Sequence, residues 1–424
     1  MKAETVAGAA NKRSSMRILF VATQLPLPPD TGGRIRSLNL LKSLSREHQL
    51  TFLCTVPENI HEGVLRQMQQ HCSRFIAVPQ KRTDVRNWRY FLKLLCNFAS
   101  PYPFGIAKDY SSALVERIQQ TLDSSEFDVL VCDFLHATIN LKAINSVPIV
   151  LFQHNVEAEI FRRYYLQQSN PLGKLFWLYQ WKKMQRYERR VSRDMDKCVA
   201  VSKTDQITFQ RDYGLTNVSS IDTGVDLDYF AEVKAKRLAN RLVFTGSMDW
   251  LPNEDAMVWF TQEILPKIRL AIPEVSLAIV GRRPGSKIKQ LNQLGAGIIV
   301  TGRVEDVRPY LGEGSVFVVP IRIGGGTRIK IFEAMASGTP VVSTTIGAEG
   351  LTVQHQRHLL LADSPQDFAQ AVINLLQNTG LAAQIAEQAK TFVKENNDWK
   401  IVAWQFAEIC RTTIQQRKDS IGEN

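Results

Sequence analysis

The sequence predicts two consecutive α/β domains, each a doubly wound parallel sheet, and two observations carry that prediction. Short apolar runs of strand length alternate with helix-period segments along the chain, the pattern left by parallel β-α-β units. The series stops at a turn-rich stretch, Ser219-Ser-Ile-Asp-Thr-Gly-Val-Asp226, and then begins again. With 424 residues, 44% of them hydrophobic, the chain can fill two cores.

In the first half, Arg17-Ile-Leu-Phe-Val-Ala22 predicts a strand that runs into a Pro- and Gly-rich loop ending at Gly33. A helix follows, with Ile35, Leu38, Leu41 and Leu44 at helical spacing. Residues 50–56 and 75–78 predict two further strands, and 128–132 and 148–152 two more. In the second half the predicted strands are 241–245, 277–280, 297–300, 316–319 and 340–342. Helices are predicted over 255–269 and around Glu333, and three more close the chain at 365–377, 381–395 and 400–416. Residues 1–15 are small and polar, without the apolar centre of a signal peptide, and read as a disordered extension. The expected division is an extension over 1–15, a first domain over 16–222 and a second over 223–398. Residues 399–424 are expected to form a helix packing back towards the first domain.

The segment Gly324-Gly-Gly-Thr-Arg-Ile-Lys-Ile-Phe-Glu-Ala-Met-Ala-Ser-Gly338 holds the most chemistry. It follows the apolar run Val316-Phe-Val-Val-Pro-Ile321 and opens a short helix. Gly324, Gly325 and Gly326 let the backbone approach a ligand closely. Thr327 suits an N-cap, and Gly338 supplies the left-handed residue that ends the helix. The helix start offers free N–H groups and the positive end of a dipole, which favour an anion. Arg328 and Lys330 place two cations in the first turn, where the dipole opposes them and a bound anion would reverse the penalty. Glu333 lies three residues beyond Lys330 on the same side. A pyrophosphate held by backbone and cations, with a carboxylate on a nearby sugar hydroxyl, is a coherent reading of the segment; the competing one is a flexible turn before a surface helix, which the ordered set of strand, Gly loop, two cations, Glu and closing Gly disfavours.

The net charge of +11 is concentrated, since residues 160–193 carry nine Lys/Arg and one Glu, a net of +8. Residues 171–193 can form a helix with Lys182, Arg186, Arg189 and Arg193 along one face and Trp177, Trp181 and Met184 on another. Such a helix suits an anionic membrane surface; the competing reading packs its apolar side into the core. Residues 87–104, with Trp88, Tyr90, Phe91, Leu94 and Leu95, would extend that surface. No nucleic-acid-binding motif accompanies the charge, so nucleic acid is not an expected partner. Six cysteines, at 54, 72, 96, 132, 198 and 410, form no C-x-x-C pair, and most read as buried thiols of a reducing compartment. No run reaches the roughly 18 apolar residues of a membrane span. The expected location is the cytoplasm, with peripheral contact at the inner face of the membrane.

The stretch Phe332-Glu-Ala-Met-Ala-Ser-Gly-Thr-Pro-Val-Val342 is accompanied, in family order, by Gly224-Val-Asp226, Val243-Phe-Thr-Gly-Ser247, Ala278-Ile-Val-Gly281 and Val300-Thr-Gly-Arg303. Together they resemble the retaining glycosyltransferases of family 4, which have the GT-B fold, over residues 16 to about 415. The resemblance implies an α/β protein of two Rossmann-like, doubly wound domains facing across a cleft. It further implies a nucleotide-diphosphate sugar donor held mainly by the second domain and a glycan or lipid-linked acceptor held by the first. By position, Glu333 is implied to bond the donor ribose, and Arg328 and Lys330 to neutralise the diphosphate. Gly32 and Gly33 would lie against the pyrophosphate and His154 beside the transferred sugar or the acceptor, the competing reading of His154 being a structural histidine hydrogen-bonded within its loop. Gly246, Ser247, Arg303, Gly325, Gly326 and Thr327 complete the expected donor site, with Arg282 facing the base or, on the competing reading, a solvated loop cation. Arg34, Asp133, His136 and Asn155 are expected at the acceptor; for Asp133 and His136 a helix cap and a packed imidazole remain open. Two departures stand out. The first of two glutamates common in the family falls at Gly325, and the usual Arg/Lys pair is absent from Ser247-Met-Asp-Trp-Leu-Pro-Asn253. A Gly-Gly-Thr-Arg subgroup shares both, and there Arg328 and Lys330 would supply the missing charge.

Transfer from a nucleotide sugar creates a cation-like sugar and an anionic diphosphate, so catalysis needs charge stabilisation and placement of the acceptor hydroxyl more than a strong base. His154, Arg328 and Lys330 are the expected catalytic residues, and the resemblance implies retention by front-face attack in which the departing phosphate takes the acceptor proton. Asp194-Met-Asp196 and Asp226-Leu-Asp228 mimic a metal-binding D-x-D motif but fall at a helix end and a domain junction, where caps and solvated turns explain them. No His/Cys cluster has zinc spacing, so neither metal nor cofactor is expected. The alternatives are a nucleotide-sugar epimerase of the same architecture and a non-catalytic nucleotide-sugar or glycan binding protein. A dehydrogenase is disfavoured, as no G-x-G-x-x-G follows the first strand.

Overall fold

The structure, a computed structural model, describes residues 14–80, 96–141, 144–232, 235–293, 297–323 and 329–422. Most of the 1–15 extension and the apolar residues Trp88, Tyr90, Phe91, Leu94 and Leu95 lie outside the described residues. The chain forms two compact units. The first gathers Met1–Ile221 and Ala403–Asn424, and the second is the uninterrupted stretch Asp222–Val402.

The first unit is built on seven parallel strands: β1 (Arg17–Ala22), β2 (Gln49–Pro57), β3 (Arg74–Gln80), β4 (Val129–Asp133), β5 (Ile149–Gln153), β6 (Lys197–Ala200) and β7 (Val218–Ser220), in the order β3-β2-β1-β4-β5-β6-β7. β1 lies between β2 and β4, with Ile18 opposite both Leu50 and Val129. A strand covered on both faces needs a continuous apolar run rather than an alternating one, and Ile-Leu-Phe-Val-Ala provides it. Phe20 and Phe52 meet edge to face, with ring centroids 6.0 Å apart. The helix Trp399–Gly422 enters this unit from Ala403 onwards. There Phe406 packs on Phe152 at 5.2 Å, and Arg417 pairs with Asp196 at 2.6 Å.

The second unit has six parallel strands: β8 (Arg241–Thr245), β9 (Ser276–Val280), β10 (Ile298–Gly302), β11 (Val316–Val319), β12 (Val341–Ser343) and β13 (Leu360–Leu361), in the order β10-β9-β8-β11-β12-β13. Its core holds the fully buried Phe244, Phe260, Phe317, Phe332 and Phe368. In each sheet the strand order reverses once, between β1 and β4 and between β8 and β11. The carboxyl ends of those strand pairs are where open α/β sheets place their ligands.

Three features depart from the expectation. The turn-rich stretch at 219–226 begins with a strand, because Ser219 and Ser220 complete β7. The helix expected over 255–269 runs as Leu251–Trp259 and Leu265–Ala271, joined by a π-turn at Phe260–Ile264. Pro266, which has no N–H to offer, sits just beyond that turn, while the Leu265 N–H reaches back five residues to Phe260. Finally, the Trp face of the basic helix Pro171–Asp194 packs inward. Trp177 lies 4.7 Å from Tyr164, Trp181 stacks on Tyr165 at 5.8 Å, and Met184 is buried. The most exposed apolar residues here are leucines at the end of the preceding helix and the start of this one: Leu166 is 58% exposed, Leu172 79% and Leu175 64%.

Candidate functional site

In the second unit the site begins with two glycines. Gly246 follows β8 and Gly281 follows β9, and the Gly246 N–H donates to the Val280 carbonyl at 2.9 Å. The backbones approach so closely that a Cβ on Gly281 would stand 1.6 Å from the Gly246 carbonyl oxygen, and one on Gly246 would stand 2.7 Å from Lys330 Nζ. Lys330, in the first turn of the helix Ile329–Ala336, thus lies against bare backbone at the end of β8. Its ammonium donates to Asn253 Oδ1 at 3.1 Å and sits 4.2 Å from the centre of the buried Phe244 ring. Asn253 in turn donates to the Ser247 carbonyl at 2.8 Å. The aromatic face and the amide oxygen offset the penalty of a cation at a helix start.

Glu333 stands one turn further along the same helix, partly exposed. Burial of its carboxyl raises its pKa to about 7, against the pull of Lys330. Among the described residues no donor reaches this carboxylate. Gly338, at φ 72°, closes the segment as its sequence position requires, with its N–H donating to the Met335 carbonyl at 3.0 Å. Gly325, Gly326, Thr327 and Arg328, with Gly324, lie outside the described residues. Ser247 and Arg282 bond each other at 2.8 Å, and Ser247 and Arg283 both bond Asp249, so this loop is tied by its own side chains. Arg303 is exposed just past β10, two strands from the switch point. Asn253 and Phe244 stand in stretches singled out in the sequence, but neither was given a role there.

In the first unit Thr31 caps the helix Gly32–Leu44, which starts with the two expected glycines, and Arg34 pairs with Asp30 at 2.9 Å. Behind this helix start lies a buried polar network. Asp133, at the end of β4, accepts from Ser37 Oγ at 2.6 Å through one oxygen and lies 2.8 Å from His154 Nε2 through the other. His154 Nδ1 stands 3.3 Å from the buried Arg36 guanidinium. A guanidinium only donates, so Nδ1 accepts and Nε2 carries the proton given to Asp133. Burial lowers the His154 pKa and keeps the ring neutral. The His154 side chain is 1% exposed with both nitrogens engaged, and Asp133 is 4% exposed with both oxygens engaged, the arrangement that the structural reading of each predicts. A polar residue at a strand end can turn inward, and here it does.

His136 stands nearer the surface. Its Nδ1 is 2.8 Å from Asp109 and its Nε2 3.7 Å from Glu157. Burial would lower its pKa, but the two carboxylates outweigh that and raise it to about 10, so the ring is an imidazolium at neutral pH. Asn155 donates to Glu157 at 3.4 Å and belongs to the same cluster. Asp109 and Glu157 went unremarked in the sequence, where neither has a motif.

Residues 31–229 match the family model described as Glycosyltransferase Family 4, and residues 239–378 match that described as Glycosyl transferases group 1. An uncharacterised 44.6 kDa protein in the cps region of Klebsiella pneumoniae is 22% identical over 398 residues, 91% of this chain and 97% of that protein. The phosphatidyl-myo-inositol mannosyltransferase of Mycobacterium tuberculosis is 28% identical over 205 residues, which span 45% of this chain and 53% of the enzyme. Among solved structures, Anabaena HepE in complex with UDP and glucose has a TM-score of 0.65 at 16% identity, covering 94% of this chain and 100% of its own.

Proposed function

This chain is a glycosyltransferase of the GT-B fold, and on that premise we propose that it moves a hexose, with retention, from a nucleotide-diphosphate sugar to a glycan or lipid-linked acceptor. The second unit takes the donor and the first the acceptor. The observation that carries the donor side is Lys330, held against Gly246 at the sheet's switch point, with Glu333, which no donor reaches among the described residues, one turn away. An ammonium beside bare backbone suits a diphosphate, and a carboxylate half-protonated near neutrality suits a ribose diol. Arg328, from the same segment, adds the second cation. Two cations from one short segment would supply the charge that a divalent metal would bring, so transfer proceeds without metal and the departing phosphate takes the acceptor proton. Full-length similarity to a cps-region protein supports a role in envelope or exopolysaccharide synthesis.

Calorimetric binding of UDP, GDP, ADP and dTDP, each with and without Mg²⁺, tests the donor site. One preferred nucleotide, indifferent to metal and lost in Glu333→Ala and Arg328→Ala, is the expected result. Unchanged affinity in both variants would refute the assignment.

Among the described residues no helix is long and apolar enough to cross a membrane. Contact with an anionic surface is proposed instead for the first unit, through Leu166, Leu172 and Leu175 flanked by Arg162 and Lys174. A lipid-linked acceptor would be presented there.

A further inference from the structure

Phe134 follows β4 directly, at the point where the strand order of the first unit reverses. Its φ is 70°, a conformation that bulky side chains rarely adopt. Three hydrogen bonds hold it there. Its N–H donates to the Phe152 carbonyl at 3.0 Å, and its own carbonyl accepts from the Ala137 N–H at 3.1 Å and from Cys132 Sγ at 3.7 Å. The ring stacks on His154, with centroids 3.6 Å apart and planes 18° apart, and its tip reaches Gly33, where a Cβ would stand 2.4 Å from Cζ. The residue as a whole is nevertheless only half-buried, unlike Asp133 and His154 beside it.

These facts fit together in one way. The polar groups behind the ring, Asp133 and His154, have their hydrogen-bonding atoms engaged, so they offer a ligand nothing. They instead form a rigid bed that fixes an aromatic face at the ligand end of the sheet. Strain accepted to hold a side chain at such a place points to use of that side chain. An aromatic face presents a π-surface to C–H groups, and the apolar face of a pyranose ring presents C–H groups in a plane. Arg34 and Asp30, paired at the adjoining helix start, stand within the same turn of chain as Gly33 and suit hydroxyl groups.

We propose that Phe134 is a specificity-determining residue on which the ring face of a sugar rests. Its backbone strain and the buried His154 network serve to hold that platform still. The proposal depends on the glycosyltransferase reading but not on the donor-site assignment in the second unit. The sugar can be that of the donor or the terminal unit of the acceptor, and one experiment separates them.

Wild type, Phe134→Gly, Phe134→Leu and Phe134→Trp are compared. Glycine relaxes at φ 70°, so Phe134→Gly keeps the backbone without the platform. Calorimetry measures the affinity for the nucleoside diphosphate selected by the panel and for its glucose, galactose and mannose conjugates. Saturation-transfer NMR measures methyl glycosides of the same three sugars. In the Gly and Leu variants, affinity for the bare nucleotide should stay as in wild type. The sugar-dependent part should fall by about tenfold, and Trp should restore it. Loss in the conjugates identifies the donor sugar; loss confined to the methyl glycosides identifies the acceptor. Sugar binding unchanged in Phe134→Gly, or absent from wild type in both measurements, would overturn the proposal. Failure of the bare nucleotides to bind wild type would instead count against the second-unit site.

Discussion

Glu333 is the residue whose charge a bound ribose would set. Its carboxyl titrates at about 7 in the free protein because burial opposes ionisation. Hydroxyl donors favour the ionised form, so binding should lower that pKa and release a proton. By linkage, nucleotide affinity should then rise as pH climbs from 5.5 towards 8 and level off above the free pKa. Calorimetry in buffers of different ionisation enthalpy would detect the proton, and Glu333→Gln should flatten that part of the profile. Gly281 and Gly338 offer a contrast in steric terms. At Gly281 an added methyl group meets fixed backbone at 1.6 Å, so Gly281→Ala should cost roughly 3 kcal/mol or more in urea unfolding. At Gly338 nothing lies within 4 Å of an added Cβ and only the φ of 72° resists. Gly338→Ala should therefore cost about 1 kcal/mol. Lys330, Glu333 and Gly338 were legible in the sequence because their spacing along one short helix fixes their relation. The roles of Asn253, Phe244 and Gly281 were not, because each depends on a residue at least 35 positions away meeting it in space. His154 and Asp133 were legible as strand-end residues, but the direction of a side chain at a strand end is decided by packing.

Among the elements, the strands that were plain in the sequence are those buried on both faces, such as β1, β4 and β11, whose apolar runs have no other use. β6 and β7, at the far side of their sheet, carry Lys197, Ser219 and Ser220 in place of a continuous apolar run, and β13 has only two residues. The basic helix shows why composition can mislead about a surface. Helical spacing put Trp177 and Trp181 on an apolar face, but the preceding helix Glu157–Gln167 supplies Phe161, Tyr164 and Tyr165 to cover it. Lys183 is also buried, donating to the Asn97 carbonyl at 2.7 Å, so the charge available to a membrane is less than the sequence count. The contact proposed for the turn can be tested by flotation with vesicles containing anionic lipid. Leu172→Ser with Leu175→Ser should reduce bound protein severalfold while leaving nucleotide affinity intact. Equal flotation of the double variant would refute the leucine contact.

On the scale of the whole molecule, the two α/β halves were legible because the strand series restarts, but the units are not equivalent stretches of chain. The second is continuous from Asp222 to Val402, whereas the first is interrupted by it and closed by residues from Ala403 onwards. Phe406 and Cys410 of that last helix are fully buried. A fragment covering 222–402 should therefore unfold cooperatively and bind nucleotide. A fragment covering 1–221 should show weak near-ultraviolet dichroism until a peptide covering 399–424 is added. Native spectra from 1–221 alone would show the helix to be dispensable. The interruption also bears on how the protein is made. A ribosome delivers the whole second unit before the first can be finished, so with the proposed donor site a nascent chain would bind nucleotide while its other sheet still lacks a cover over Phe152. A premature stop near position 400 would then yield a product that passes a nucleotide-affinity column and yet needs a chaperone to stay in solution.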